Sequence, residues 1–365
     1  MHQNPMPNAQ RPTPNILFVG GGSVGHIAPS IAVWEELKKM LPDSSAHFVC
    51  SPRRDDAPFL EKYGLSYTVT DAPRLSLMFP LKFFGALKHA RKILDTQKPD
   101  VIFSKGGYVS LPLCFAAKKK GIPIVMHESD AVSGRANSIV SRWATAICTS
   151  FPDNRQPTTD NRQHTGNPVR KAITQGSREE GLRIAGLSGQ KPILLITGGS
   201  QGAEAINKAV ESILKDLLLR CNIIHITGRG KGNNHEAEGY FQMEFATKEL
   251  PDLYACTDIA ISRGGANALT DFSVCGIPTI VIPLRGKGHD HQYKNAILAE
   301  ETGGCIHLEQ SDLNAKLLST VHELVSDEDK LKEMSANIGK LSSSDAAVQI
   351  AKIIAQTLDS LVAHQ

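Results

Sequence analysis

This chain has no apolar run long enough to span a bilayer. Its first residues, Met1 to Pro14, contain no apolar core of the kind a secretory signal carries. They are rich in Pro, Asn and Gln, and 1–14 reads as a disordered lead-in. A strong charge of one sign is absent as well. Forty Lys and Arg against 37 Asp and Glu leave +3, too mild a balance to indicate a nucleic-acid partner. Cysteine is scarce and scattered. The seven, at 50, 114, 148, 221, 256, 275 and 305, are odd in number and form no close pairs. That spacing excludes a disulfide framework or a zinc site and indicates a reducing compartment. A soluble, cytoplasmic protein is expected, and 365 residues suffice for two ordinary domains.

What the chain does have is a pair of glycine-rich turns half a chain apart. Gly20-Gly21-Gly22-Ser23-Val24-Gly25-His26 follows the apolar run Ile16–Val19. Gly198-Gly199-Ser200-Gln201-Gly202-Ala203 follows Ile193–Ile196. Each reads as strand, tight turn and helix N-terminus. Glycine lets the backbone turn sharply and lets a ligand approach the amides. A helix N-terminus adds unpaired N–H groups that suit phosphate. Two such turns predict two similar α/β domains facing each other across a cleft.

The rest of the chain alternates accordingly. Strands are predicted near 15–20, 46–50, 66–70, 100–104, 122–127 and 145–149, then near 192–197, 222–227, 258–261, 278–282 and 304–307. Helices are predicted at 28–40, 83–96 and 133–144. Short apolar runs without strict polar alternation suit parallel strands buried on both faces. Pro152 to Gln163 is polar and marks the break between halves. Domains are expected over 15–165 and 166–342. An amphipathic helix near 343–361 is expected to return to the first domain.

The first turn admits two readings. Gly20-x-Gly22-x-x-Gly25 matches a dinucleotide fingerprint. The acid that should follow at the ribose is missing, because the second strand ends Cys50-Ser51-Pro52-Arg53-Arg54; the arginines suit an NADP 2′-phosphate. His26 favours another reading. An imidazole at the mouth of a cleft is a natural general base near pH 7, although the spot also accommodates a plain helix-start side chain.

The second half is richer. Ser262-Arg263-Gly264-Gly265-Ala266-Asn267-Ala268-Leu269-Thr270-Asp271 follows a strand and enters a helix. Arg263 can pair with a phosphate, and Asp271 can accept from ribose hydroxyls. Further on, His291 and Gln292 stand where a loop becomes a helix, and such side chains read sugar hydroxyls in both directions. His289, Asp290 and His291 are a poor metal trio, since three adjacent residues do not converge easily on one ion.

Together these segments resemble the MurG family, the peptidoglycan N-acetylglucosaminyltransferases of glycosyltransferase family 28. The motifs are GGGSVGHIAPSIAV at 20–33, SKGGYVSLP at 104–112, HESDAVSGRAN at 127–137, TGNPVR at 165–170, GGSQGA at 198–203, SRGGANALTD at 262–271 and DHQYKNA at 290–296. The resemblance implies two Rossmann-like domains in a glycosyltransferase-B fold. It implies inverting transfer from UDP-GlcNAc to the 4-hydroxyl of undecaprenyl-diphosphate-linked muramoylpentapeptide. By motif, Ser200, Gln201 and Arg263 lie at the donor diphosphate, Asp271 at the ribose and Arg170 near the nucleotide. Ala266, His291 and Gln292 line the sugar. His26 is the candidate base, with Glu128 or Asp130 orienting it or replacing it. Ser23, Gly25, Gly106, Gly107, Tyr108 and Asn137 belong to the acceptor side.

Three positions depart from the family pattern. Ser23 and Val24 replace a Thr and a glycine, so Val24 must avoid a left-handed backbone. Asp130 replaces an Asn and cannot donate when ionised. Asp271 replaces a longer Glu. No Asp-x-Asp lies in a loop suited to a nucleotide sugar, so no metal is required, and Mg²⁺ remains compatible with the diphosphate. A polyprenyl acceptor implies peripheral contact with an anionic membrane on its cytoplasmic face, beside other cell-wall synthesis proteins. Leu75 to Ile93 interleaves Leu77, Met78, Phe79, Leu81, Phe83, Phe84 and Leu87 with Lys82, Lys88, Arg91 and Lys92, as an interfacial segment does. Lys118–Lys120 would add to the basic rim. Phe83, Phe84 and Leu87 are expected in the core, and Phe79 and Leu81 in a membrane loop.

Overall fold

The computed structural model describes residues 13–22, 24–73, 79–152, 161–233, 235–286 and 290–363. Residues 1–12 of the expected lead-in and Ser23 fall outside this range, as do Leu75, Leu77 and Met78.

The first half opens with β1 (Asn15–Gly20), α1 (Val24–Met40), β2 (Ser45–Cys50), α2 (Asp56–Lys62) and β3 (Tyr67–Val69). It continues with α3 (Phe79–Gln97), β4 (Val101–Gly106), α4 (Ser110–Lys120), β5 (Ile124–Glu128), α5 (Arg135–Val140), β6 (Ala146–Thr149) and β7 (Arg162–His164). The seven strands form one sheet in the order β3-β2-β1-β4-β5-β6-β7, and every pairing is parallel.

After α6 (Arg178–Ala185) the pattern repeats: β8 (Ile193–Thr197), α7 (Glu204–Ser212), α8 (Leu214–Arg220), β9 (Asn222–Ile226), β10 (Tyr240–Met243), α9 (Leu250–Ala255) and β11 (Ile259–Ser262). Then come α10 (Ala266–Cys275), β12 (Thr279–Val281), α11 (His291–Glu301), β13 (Cys305–His307), α12 (Leu313–Val325), α13 (Glu328–Ile338) and α14 (Ala346–Ala363). Its six strands are ordered β10-β9-β8-β11-β12-β13, again all parallel. In both sheets the order reverses beside the first strand, the point where open α/β sheets bind ligands.

The central strands bury both faces, which accounts for the unbroken apolar runs. Ile16 and Phe18 point to a layer with α1, α2 and α14. Their neighbours Leu17 and Val19 point to the opposite layer with α3 and α4. In β8, Leu194 and Ile196 face one layer while Ile193 and Leu195 face the other. Phe18 stacks on Phe48 at 4.8 Å between centroids and meets Phe103 edge-on at 5.6 Å. The final helix, α14, places Ile350, Ala351, Ile354 and Leu358 in the core of the first sheet.

Helix α3 corrects two expectations. Leu87 is buried and Phe83 packs edge-on against Phe115, but Phe84 is 70% exposed. The helix period turns Phe84 outward while Phe83 and Leu87 share the inner face. Phe79 and Leu81 lie in the first turns of α3 rather than in a loop. No helix among the described residues is long and apolar enough to cross a membrane.

Candidate active site

Both glycine turns sit at the carboxyl ends of central strands, facing one another. The turn after β1 nests against the one after β4. Gly107 has φ +84°, and a Cβ there would lie 2.3 Å from the Gly21 carbonyl oxygen. Val24, the departure from glycine, begins α1 and is not among the residues with positive φ.

Between the sheets lies a cleft of about 1050 Å³. Its walls bring together Gly25, His26, Asp130, Arg170, Ser200, Gln201, Arg263, Ala266, Asp271, His291 and Gln292. A second cavity of about 300 Å³ is lined by Gly107, Tyr108, Glu128 and Asn137. His26 and Asp130 line both cavities. Two binding spaces with an imidazole and a carboxylate at their junction suit a reaction between two substrates.

The walls are shaped by backbone direction. Gly265 precedes the first turn of α10, so the amides of that turn face the cleft with Ala266, Asn267 and Ala268. The glycine turn after β8 runs directly into the next helix. That helix, α7, starts at Glu204, so Ser200 and Gln201 occupy an exposed loop before it. Lys231 Nζ holds that loop by donating to the Gln201 carbonyl at 2.8 Å. Arg263 donates to the Ile282 carbonyl at 3.0 Å and to Gln310 Oε1 at 2.8 Å. These contacts aim the guanidinium and leave further N–H groups for an anion. Gln292 Oε1 accepts from the Leu284 amide at 2.9 Å.

Asp271 lies one and a half turns into α10. Burial pushes its carboxyl up to about 7, and only Arg170 opposes the shift. Arg170 itself reaches across to α2. Its guanidinium bonds the Tyr63 hydroxyl and lies over the rings of Phe59 and Tyr63, 5.5 and 5.9 Å from their centroids.

His26 Nδ1 lies 3.3 Å from the Lys105 carbonyl. A carbonyl only accepts, so Nδ1 carries the proton of the neutral ring and Nε2 keeps its lone pair. Burial first, and the positive charge of Lys105 second, hold the imidazole below its ordinary value; Asp130 and Asp56 oppose them. The ring is therefore neutral at pH 7, as a base must be. Burial and the neighbouring Asp130 raise Glu128 above the usual carboxylate range. Its Oε2 accepts from Asn137 Nδ2 at 2.8 Å and its Oε1 from the Asp130 amide at 3.1 Å.

Asp130 fits its place because its partner donates. Asn295 Nδ2 reaches Asp130 Oδ1 at 2.9 Å, and Asn295 Oδ1 accepts from the Ala131 amide at 2.8 Å. His291 Nδ1 likewise sits 2.7 Å from the Val132 carbonyl. The loop after β5 is thus pinned to α11. Gly106 lines neither cavity. Its φ of +89° and missing Cβ make room for Asn137, whose Oδ1 would lie 2.6 Å from a Cβ there, so this glycine shapes the wall. Of the His289–His291 trio, His289 lies outside the described residues and Asp290 accepts from the Gly286 amide at 3.0 Å.

Several site residues escaped the motif reading: Asn167, Asn267, Asn295, Ser129 and above all Lys105. A lysine closing the apolar run Val101–Phe103 was the available signal, because a charge on a strand buried on both faces needs partners.

Two parallel-sheet domains with a ligand-sized cleft between their carboxyl ends define the glycosyltransferase-B architecture. The model of the glycosyltransferase family 28 N-terminal domain matches residues 16–149, and that of its C-terminal domain matches 193–350. A Clostridium botulinum protein named UDP-N-acetylglucosamine--N-acetylmuramyl-(pentapeptide) pyrophosphoryl-undecaprenol N-acetylglucosamine transferase is 36% identical over 83% of this chain and 88% of its own length. A Clostridium kluyveri protein of the same name is 35% identical over 93% of this chain and 97% of its own. Among solved structures, Acinetobacter baumannii MurG superposes with a TM-score of 0.73 at 23% identity, covering 94% of this chain and all of that one. A Neisseria meningitidis UDP-GlcNAc 2-epimerase bound to UDP-GlcNAc shares the fold at a TM-score of 0.66 and 16% identity, covering 95% of this chain and all of that one. The chain belongs to glycosyltransferase family 28.

Proposed function

We propose that this enzyme transfers N-acetylglucosamine from UDP-GlcNAc to the 4-hydroxyl of undecaprenyl-diphosphate-linked muramoylpentapeptide, a step of peptidoglycan synthesis. The observation that carries the reading is the pair of cavities meeting at His26 and Asp130. The larger takes the sugar nucleotide and the smaller the acceptor sugar.

The acceptor hydroxyl attacks the anomeric carbon in line, opposite the departing UDP. Direct displacement inverts the centre, giving a β-linked product from an α-linked donor. His26 Nε2 receives the hydroxyl proton, while Glu128 and Asp130 orient the acceptor. Negative charge grows on the leaving diphosphate. Ser200, the amides of the loop after β8 and of the first turn of α10, and Arg263 are fixed in advance to stabilise it. Asp271 and Arg170 take the nucleoside, and Ala266, His291 and Gln292 take the sugar.

Membrane contact at the cytoplasmic face belongs to the same proposal. Phe84, Lys88 and Arg91 recur at helical spacing on the outer face of α3, and Lys118, Lys119 and Lys120 are exposed on the adjoining α4. One exposed aromatic within a basic field suits an anionic leaflet. Titration calorimetry tests the nucleotide assignment: UDP-GlcNAc binds and NADPH does not. The reverse result would restore the dinucleotide reading of the first turn.

A further inference from the structure

One buried group in the site takes no part in the displacement. Lys105 stands near the end of β4 and is 1% exposed. Its Nζ donates to His127 Nδ1 at 2.7 Å, to Asn167 Oδ1 at 2.7 Å and to Ser129 Oγ. An ammonium has three N–H groups, and three acceptors meet them. His127 Nε2 lies 3.0 Å from the Gly166 carbonyl, so Nε2 holds the ring proton and Nδ1 offers its lone pair to the lysine. A buried charge persists only where it is paired and fully hydrogen-bonded.

The lysine also closes a circuit. Asn167 Nδ2 donates to Asn267 Oδ1 at 2.8 Å and to Thr270 Oγ1 at 3.1 Å, both on α10. Asn267 Nδ2 donates to the Gly25 carbonyl at 2.8 Å. Gly25 precedes His26, and the His26 ring returns to the Lys105 carbonyl. The path runs from β4 through the segment joining the two sheets to α10, crosses to the first glycine turn and ends where it began.

Resting on the transferase reading above, we propose that Lys105 is a positioning residue for the transfer: its ammonium clamps Asn167, holds the Gly25–His26 turn in register with α10, and presents a fixed positive charge to the imidazole and the two carboxylates. The surrounding charges set the direction of its effect. Lys105 from β4 lowers His26, while Asp130 after β5 and Asp56 of α2 raise it. Glu128, Asp130 and Cys148 of β6 favour the ammonium, and burial pushes it down to about 7. The charge is thus present through the acid range where His26 titrates. Lys105 also lowers Glu128. Removing the lysine raises both His26 and Glu128, so the acid limb of the rate profile moves up in pH.

The test compares wild type, Lys105→Met and Asn267→Ala. For K105M, the acid limb of kcat rises by about one pH unit, the size of effect expected from one nearby charge. Its kcat at pH 7 falls at least tenfold and KM for UDP-GlcNAc changes little. N267A opens the circuit but keeps the charge, so kcat falls with the limb in place. Imidazole NMR of the enzyme without substrate gives a reading independent of turnover: His26 titrates higher in K105M. Lys105→Gln replaces K105M in both measurements if the Met variant does not fold. A folded variant with an unmoved limb and an unmoved His26 titration overturns the proposal. Absence of transfer by the wild type overturns the transferase reading alone, and the NMR titration still decides the place of Lys105.

Discussion

With Asp271 at the donor ribose, as proposed, affinity for the donor should depend on pH. Its carboxyl is held at about 7 by burial. In the proposed complex it accepts hydrogen bonds from ribose hydroxyls, which favours the ionised form. The diphosphate diester of UDP-GlcNAc does not titrate in this range, so the dependence belongs to the protein. With a pKa of about 7, roughly a tenth of the carboxyl is ionised at pH 6 and roughly nine-tenths at pH 8. If only the ionised enzyme binds well, the apparent dissociation constant scales inversely with that fraction. Affinity for UDP-GlcNAc then improves about tenfold between pH 6 and pH 8. Calorimetry at half-unit intervals reads this directly. Asp271→Asn abolishes the slope and leaves a pH-independent loss of about 1 kcal/mol for the weaker hydrogen bond. Stability moves the opposite way. A carboxyl raised above its unfolded value weakens the native state as pH rises from about 4 through 7. D271N is therefore more stable than wild type at pH 8, by on the order of 2–4 kcal/mol given a cleft open to water, and the gain vanishes near pH 4. A wild-type affinity flat from pH 6 to 8 would refute this account of the ribose site.

Two further predictions follow from packing and surface. Gly107→Ala places a Cβ 2.3 Å from the Gly21 carbonyl at a φ of +84°, so it should cost more than about 2 kcal/mol in urea unfolding; an unchanged midpoint would contradict the nested turns. Phe84→Asp alters an exposed side chain and should weaken sedimentation with anionic vesicles several-fold without lowering the melting temperature; equal binding would remove α3 from the membrane face.

The central strands and the glycine turns were legible because parallel strands buried on both faces carry dense apolar runs and their turns require glycine. The edges were not. Strands β7 and β10 escaped the reading, since Arg162–His164 is polar and Tyr240–Met243 is only half-buried at a sheet margin. The return of α14 to the first domain was expected, but its periodicity could not name its partners in β1 and α1, more than 300 positions away in the chain. The circuit through Lys105, Asn167, Asn267 and Gly25 was hidden for the same reason. Its links span 62, 100 and 242 positions, and no local pattern specifies them.

The most direct test is transfer of labelled N-acetylglucosamine from UDP-GlcNAc to a short-chain lipid-linked muramoylpentapeptide, by wild type and by His26→Ala. The account predicts transfer by the wild type with a β-linked product, and a loss of at least a hundredfold in kcat for the variant with UDP-GlcNAc affinity retained. Full activity in H26A would dismiss His26 as the base and pass that role to Glu128 or Asp130. No transfer by a folded, UDP-GlcNAc-binding wild type would contradict the proposed acceptor.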